Sequence, residues 1–240
     1  MSDTNEPRDR RLIASAALIG LIVIAGIVLV TFRLTGGGDE EGPNAGPAPS
    51  ATPAGSAGDQ RSSSACGLPD SQDTALTDAP DAEWKILGTS AVPQNESTGP
   101  AQVEDDIPRC FARSPEGALF AATWLTVLLN EPRFASEALV RSRMVPGPAL
   151  DAFLASDDGG ATTKIPAQIA GFRIEDYSPD RSTVSVIARL TDGPDSGGLL
   201  QIVMTMVWQE GDWKWELSSA GIQGNAVTSL SGFVPWSGVS

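Results

Sequence analysis

The residues able to do chemistry in this chain are few and widely spaced. Histidine is absent, which excludes serine–histidine and cysteine–histidine catalysis and histidine-ligated zinc or iron. The two cysteines, Cys66 and Cys110, have no nearby base and no ligand cluster, so a reactive or metal-binding thiol is the weaker reading. An even count on an oxidising side of a membrane points instead to one structural disulfide. Closing a loop of that length contributes ~4 kcal/mol in the chain-entropy picture. Three acidic runs, Asp39-Glu40-Glu41, Glu104-Asp105-Asp106 and Asp157-Asp158, lack the alternating oxygens and glycine of a calcium loop and read as solvated surface. Asp176 and Tyr177, near the end of a bent strand, come nearest to a small acid–base site, but Asp176 can equally pair with Arg173 or Arg181. No catalytic residue, cofactor or metal is expected.

Charge narrows the partners. Acidic side chains outnumber basic ones 30 to 16, for a net charge of −14. Nucleic-acid binding rests on a basic surface that releases phosphate counterions, so DNA and RNA are not expected partners. Docking on anionic lipid head groups is disfavoured for the same reason.

The elements that must hold these residues begin with an uncharged apolar run from Leu12 to Phe32. A helix of about 20 such residues spans a ~30 Å hydrocarbon core. Arg8, Arg10 and Arg11 precede it and only Arg33 follows closely, which places the amino terminus in the cytoplasm. No signal-peptidase site follows the run. The expected organisation is a cytoplasmic tail over 1–11, a membrane span over 12–33 and a disordered Gly/Pro/Ala/Ser linker over 34–65. A disulfide-tethered arm with one strand then covers 66–113, a helix-and-sheet domain 114–220, and a tail 221–240. So short a cytoplasmic tail leaves no room for an anti-sigma or kinase module. The linker has an end-to-end distance of roughly 30 Å. The chain therefore reads as a single-pass cell-membrane protein with its bulk outside the cytoplasm.

In the arm, Glu83 to Val92 is the strand candidate, and repeated prolines bar a helix. Asn95-Glu96-Ser97 fits a glycosylation sequon, which matters only in a eukaryotic secretory route. Ser114 caps a first helix with Pro115 at its first position. The helix is apolar on almost every side from Ala118 to Leu129 and so belongs in a core. A second helix is expected from Pro132 to Met144 and a third from Pro148 to about Asp157. After Lys164 the hydrophobic period changes to two. Four strands are expected, near Ile165–Tyr177 (bent at Gly171), Ser182–Thr191, Leu199–Trp208 and Trp213–Leu217, with Ile187 breaking an otherwise polar set. The class is α+β, three helices packed on a curved four-stranded antiparallel sheet.

That order of elements and the closing hairpin Val207 to Leu217 resemble the cone-shaped nuclear-transport-factor-2-like fold. More narrowly, Cys66-Gly67-Leu68-Pro69, Trp84, Val92-Pro93, Gly99-Pro100, Arg109-Cys110-Phe111-Ala112, Pro115 to Leu119 and Leu230 to Trp236 resemble a membrane-anchored actinobacterial family. That family has no assigned activity and is often found on plasmids and integrative conjugative elements. Its layout is similar to that of the bitopic assembly subunit of type IV secretion systems. The resemblance implies partners among envelope proteins and the conjugation machinery, and carries over no catalytic residue.

Two surfaces are candidates for function. A cone pocket would be lined by Trp124, Phe172, Met204, Met206 and Trp215, residues that also suit an ordinary core. A protein interface would use Val203 and Val207 on the outer sheet face, with Phe233 and Trp236 of the tail as a further contact. Those two aromatics either dock on their own domain, the favoured arrangement, or anchor a partner. The leading functional expectation is a non-enzymatic assembly module in a conjugative apparatus; the alternative is a small-ligand or lipid-binding domain.

Overall fold

The computed structural model describes residues 64–156 and 165–238. All lie in the second of two compact units, Ser56–Ser240. The expected tail and span, nearly all of the linker, and the Asp157-Asp158 pair fall outside the described residues. The linker's last two residues are docked: Ser64 is buried and the Ala65 amide donates to Gly211 O at 2.9 Å.

The arm holds two small antiparallel ribbons in place of the single expected strand. The first pairs β1 (Glu83–Leu87) with β2 (Ser90–Gln94), and the second pairs β3 (Gln102–Glu104) with β4 (Ile107–Arg109). Asp105 and Asp106 both have positive φ (51° and 63°) and form the tight turn of the second ribbon. Aspartate tolerates that region better than most residues.

The first helix, α1 (Pro115–Asn130), starts where Ser114 Oγ accepts the Gly117 amide at 2.9 Å. Glycine is required at 117, because a Cβ there would lie 1.9 Å from Ala112 O. The helix is apolar all round because it is covered on two sides. The arm packs on one side, where Trp124 Nε1 donates to Pro93 O at 2.7 Å; the main sheet packs on the other. The second helix, α2 (Glu137–Arg143), begins later than expected, at a Ser136 cap that accepts the Leu139 amide. A turn closed by Phe134 N to Glu131 O occupies the residues before it. The third, α3 (Pro148–Ala155), starts at its proline as expected.

The main sheet corrects the expected fold class. It has six strands, in the order β10-β5-β6-β7-β8 with β9 also paired to β7. These are β5 (Ala167–Ser178), β6 (Arg181–Leu190), β7 (Leu199–Gln209), β8 (Asp212–Glu216), β9 (Gly224–Val227) and β10 (Val234–Pro235), all pairings antiparallel. Strands β8 and β9 share one edge of β7, on Thr205–Gln209 and Leu199–Ile202 respectively. The four-stranded cone is therefore not the architecture, because the tail supplies two further strands. The register shifts between Ile169 and Gly171, where β5 bends. A Cβ on Gly171 would sit 2.8 Å from Val234 O, so glycine lets β10 close on this edge. The expected span, residues 12–33, lies outside the described residues; among the described residues no helix is long and apolar enough to cross a membrane.

The core lies between α1 and the concave sheet face. Phe120, Trp124, Phe172, Met204, Met206 and Trp213 are among its buried members.

Candidate functional site

Along β7, Leu200, Ile202 and Met204 project from the concave face at every second residue, the period a strand imposes. Ala188 and Leu190 of β6 and Ile169 of β5 lie beside them. Opposite, the carboxyl-terminal half of α1 presents Thr126, Val127, Leu129 and Asn130. Between helix and sheet is a partly open cavity of about 380 Å³, bounded elsewhere by Ser90, Ala167, Gln168, Trp215, Ile222 and Gly224. Ile165, 45% exposed, stands among its lining residues and marks the side open to solvent. A volume in this range suits a small organic ligand.

Among the described lining residues there is no charged side chain, and the polar groups are mostly engaged. Ser90 Oγ donates to Ala167 O at 2.9 Å. Thr126 Oγ1 donates back to Ala122 O at 2.9 Å. Asn130 clamps the Ile165 backbone, its Nδ2 donating to Ile165 O (2.7 Å) and its Oδ1 accepting the Ile165 amide (3.0 Å). Gln168 Nε2 donates to Thr89 O at 2.5 Å. Gln168 Oε1 is buried with no hydrogen-bond partner.

Of the five residues expected to line a pocket, Met204 and Trp215 do so. Trp124, Phe172 and Met206 are fully enclosed core. Trp124 turns its indole N–H toward the arm, and Phe172 packs edge-on against Trp236 at 5.6 Å. Leu200 and Ile202 belong to the same alternating set as Met204, which is the signal that would have found them. Ser90 and Gln168 carried no such signal, because their place depends on how the arm folds back.

The expected interface is arranged differently. Val203 is 42% exposed on the outer sheet face, and Val207 is half-buried. Around Val203 runs a polar chain: Gln201 Nε2 donates to Ser185 Oγ, and Ser185 Oγ donates to Glu175 Oε1, each at 2.8 Å. Burial opposes ionisation of Glu175, but hydrogen bonds from Arg173 and Ser185 outweigh it and hold its carboxyl below the usual range. Another part of this face is covered by the chain's own tail, where Val227, Leu230 and Phe233 pack on Ala170, Ile187 and Leu199. Trp236 is buried among Trp84 (4.7 Å between centroids), Phe120 (5.5 Å) and Phe172. It is docked on its own domain and offers no surface to a partner.

Cys66 and Cys110 form a disulfide with a Cα–Cα distance of 5.6 Å. Arg173 pairs with Glu175, and Arg181 with Glu216. The Tyr177 hydroxyl, buried without a partner, has its pKa pushed up to about 12, chiefly by burial. A phenol so held is a poor proton donor or acceptor near neutrality. Among the described residues no group of three or more His, Cys, Asp or Glu side chains is placed to hold a metal.

Family membership follows from most of the chain. A family described as "Domain of unknown function (DUF8175)" matches residues 47–235. The chain belongs to that family. Searches of curated proteins and of solved structures return no match. The matched stretch includes both cysteines, the whole cavity lining and both tail strands, so arm, core and strap fall within one family unit.

Proposed function

We propose that this domain is a non-enzymatic binding module that holds an apolar small molecule in the cavity beneath α1. The partly open cavity, walled mostly by aliphatic side chains and with no charged side chain among its described lining residues, is the single observation that carries this reading. A well-packed interior leaves few voids larger than a water, so a space of this size against an otherwise tight core suits an occupant. The disulfide supports a setting outside the cytoplasm. The apolar run from Leu12 to Phe32 supports attachment to the cell membrane through residues 12–33.

The test is native mass spectrometry of the full chain extracted from its membrane, compared with Ala188→Phe. Ala188 is buried and lines the cavity, so the larger ring fills it. The expected result is a bound hydrophobic molecule on the wild type that is lost from the folded variant. Equal occupancy of both proteins, or none on either, overturns the reading.

A second reading is a contact with other envelope proteins, including conjugation machinery, favoured by the exposure of Val203 beside the part of the outer sheet face that the tail covers. Isolated exposed valines are common on monomers, so this reading ranks below the first. Val203→Glu is expected to leave the fold intact and weaken recovery of such partners. Unchanged recovery from a folded variant would remove it.

A further inference from the structure

We propose that the outer edge of β1 pairs with the same edge of a second copy of this chain, antiparallel and two-fold, with Trp84 on the axis. This interface is independent of the cavity and of any ligand in it.

The edge belongs to the arm's first ribbon. The two-residue turn Gly88–Thr89 joins β1 to β2, and Leu87 pairs with Ser90 across it. Residues that close such a turn exchange both backbone bonds, and bonded pairs then alternate along the ladder. Leu87, Lys85 and Glu83 therefore bond to β2, while Trp84 and Ile86 turn their N–H and C=O outward. The strand opposite agrees. Pro93 faces Trp84, has no N–H to give, and directs its carbonyl away to the Trp124 indole. Among the described residues nothing bonds the outward peptide groups of Trp84 or Ile86.

An unpaired edge is a template for another strand, and folded domains tend to block it. This chain blocks others. The Val145 amide donates to Trp215 O along the edge of β8, and β10 is two residues long and ends in Pro235. By contrast β1 has five residues and no proline, and Ile86 on it is 65% exposed.

Charge selects the occupant and the register. Glu83 and Lys85 are both exposed and lie on one face of β1. In a ladder built on the outer edge they fall at the non-bonded pairs, where opposing side chains come closest. With Trp84 opposite the partner's Trp84, Glu83 meets the partner's Lys85 and Lys85 meets the partner's Glu83. Ile86 is then covered by the partner's Ala82. Centring the pair on Lys85 or on Glu83 sets like charges directly opposite, and centring it on Ile86 sets Lys85 against the partner's Leu87. The edge is thus self-complementary in the register centred on Trp84, as a two-fold contact requires. A net charge of −14 makes copies repel in general, so those two ion pairs carry the discrimination. Attachment to one membrane raises the effective concentration of copies, which suits so short a ladder.

The experiment is disulfide trapping in the native membrane. Two differently tagged full-length chains, one Glu83→Cys and the other Lys85→Cys, are expressed together and mildly oxidised. Cys66 and Cys110 are already bonded to each other. The pairing sets the two new sulfurs opposite and leaves one Lys85–Glu83 pair intact. A product carrying both tags is expected, about tenfold above the self-product of either chain alone. Adding Lys85→Glu to the Glu83→Cys chain places two glutamates opposite and should cut the mixed product about fivefold. Adding Glu83→Lys to the other chain should restore it. Both positions are exposed, so these changes leave the fold in place. Self-product from the Lys85→Cys chain equal to the mixed product overturns the register. A mixed product unmoved by the charge reversal overturns the ion pairs as its cause. No product from any combination overturns the interface.

Discussion

Arg143 and Asp212 form an ion pair (Nη1 to Oδ2, 2.5 Å) whose side chains are only 3% and 11% exposed. The same carboxylate accepts the amides of Cys110 at 2.9 Å and Phe111 at 3.1 Å. Arg143 Nη2 donates to Trp213 O at 2.6 Å. One charge pair thus joins α2, the β7–β8 hairpin and the chain beside the disulfide. Its contribution is positional, since two charges taken from water gain little net energy.

Removing one partner therefore matters more than removing both. Asp212→Leu leaves Arg143 buried and unpaired and is expected to cost about 3–5 kcal/mol in denaturant unfolding followed by tryptophan fluorescence. Arg143→Met in that background should recover a large part of the loss. A double variant as unstable as the single would mean that the backbone amides, and not the pair, set the penalty.

The disulfide and the tail hold different parts of the arm. Cys66 is tied to Cys110, while Trp84 on β1 packs at a tilt against Trp236 from the tail. Cys66→Ser is expected to lower stability by about 2–4 kcal/mol while β1 and β2 stay packed, because Val92 and Trp84 remain tied to the core. Loss of all arm protection in hydrogen exchange, with the sheet still protected, would show that the bridge alone keeps the arm in place.

Trp236→Ala acts on the other tie. It removes three aromatic contacts and the Nε1–H donation to Pro80 O at 3.1 Å. Truncating a buried tryptophan costs about 3–5 kcal/mol. The amides of β1 and β10 should then exchange together, since one indole anchors both. Faster exchange confined to β10 would show that the arm does not depend on the tail.

The sequence made some of this legible through particular residues. Ser114-Pro115 marked the start of α1 because capping is local, and the two-residue period of β6 and β7 marked the sheet because alternation is local. Ile187, an apolar residue in a polar set, was the visible trace of a covering segment, and the structure places Val227, Leu230 and Phe233 around it. The strands β9 and β10 were not legible. Gly224 to Val227 is short and Gly/Ser-flanked, and it pairs only because β7 presents a free edge there. The cavity was half legible, since Met204 and Trp215 follow from alternation, whereas Ser90 and Gln168 meet only through the folding of a distant arm. Trp124 and Phe172 were expected in a pocket because bulk and hydrophobicity do not distinguish a filled space from an empty one.

Tyr177 offers a direct readout of native packing, because it is the one tyrosine in the chain. Its ring lies 6.1 Å from Trp213. Burial raises its pKa to about 12, and the charges of Asp70 and Asp180 raise it while Arg113 lowers it. A phenol that ionises later in the folded state than in the unfolded one contributes stability that is fully present below the ordinary value, about 10. That contribution is lost as pH climbs from there through the folded value. Absorbance titration of the folded protein should therefore show phenolate forming near pH 12, and in denaturant near 10. Stability should fall over the same interval, and Tyr177→Phe should flatten that alkaline loss. Native phenolate formation at the ordinary value would place the hydroxyl in water and remove the basis for the alkaline loss.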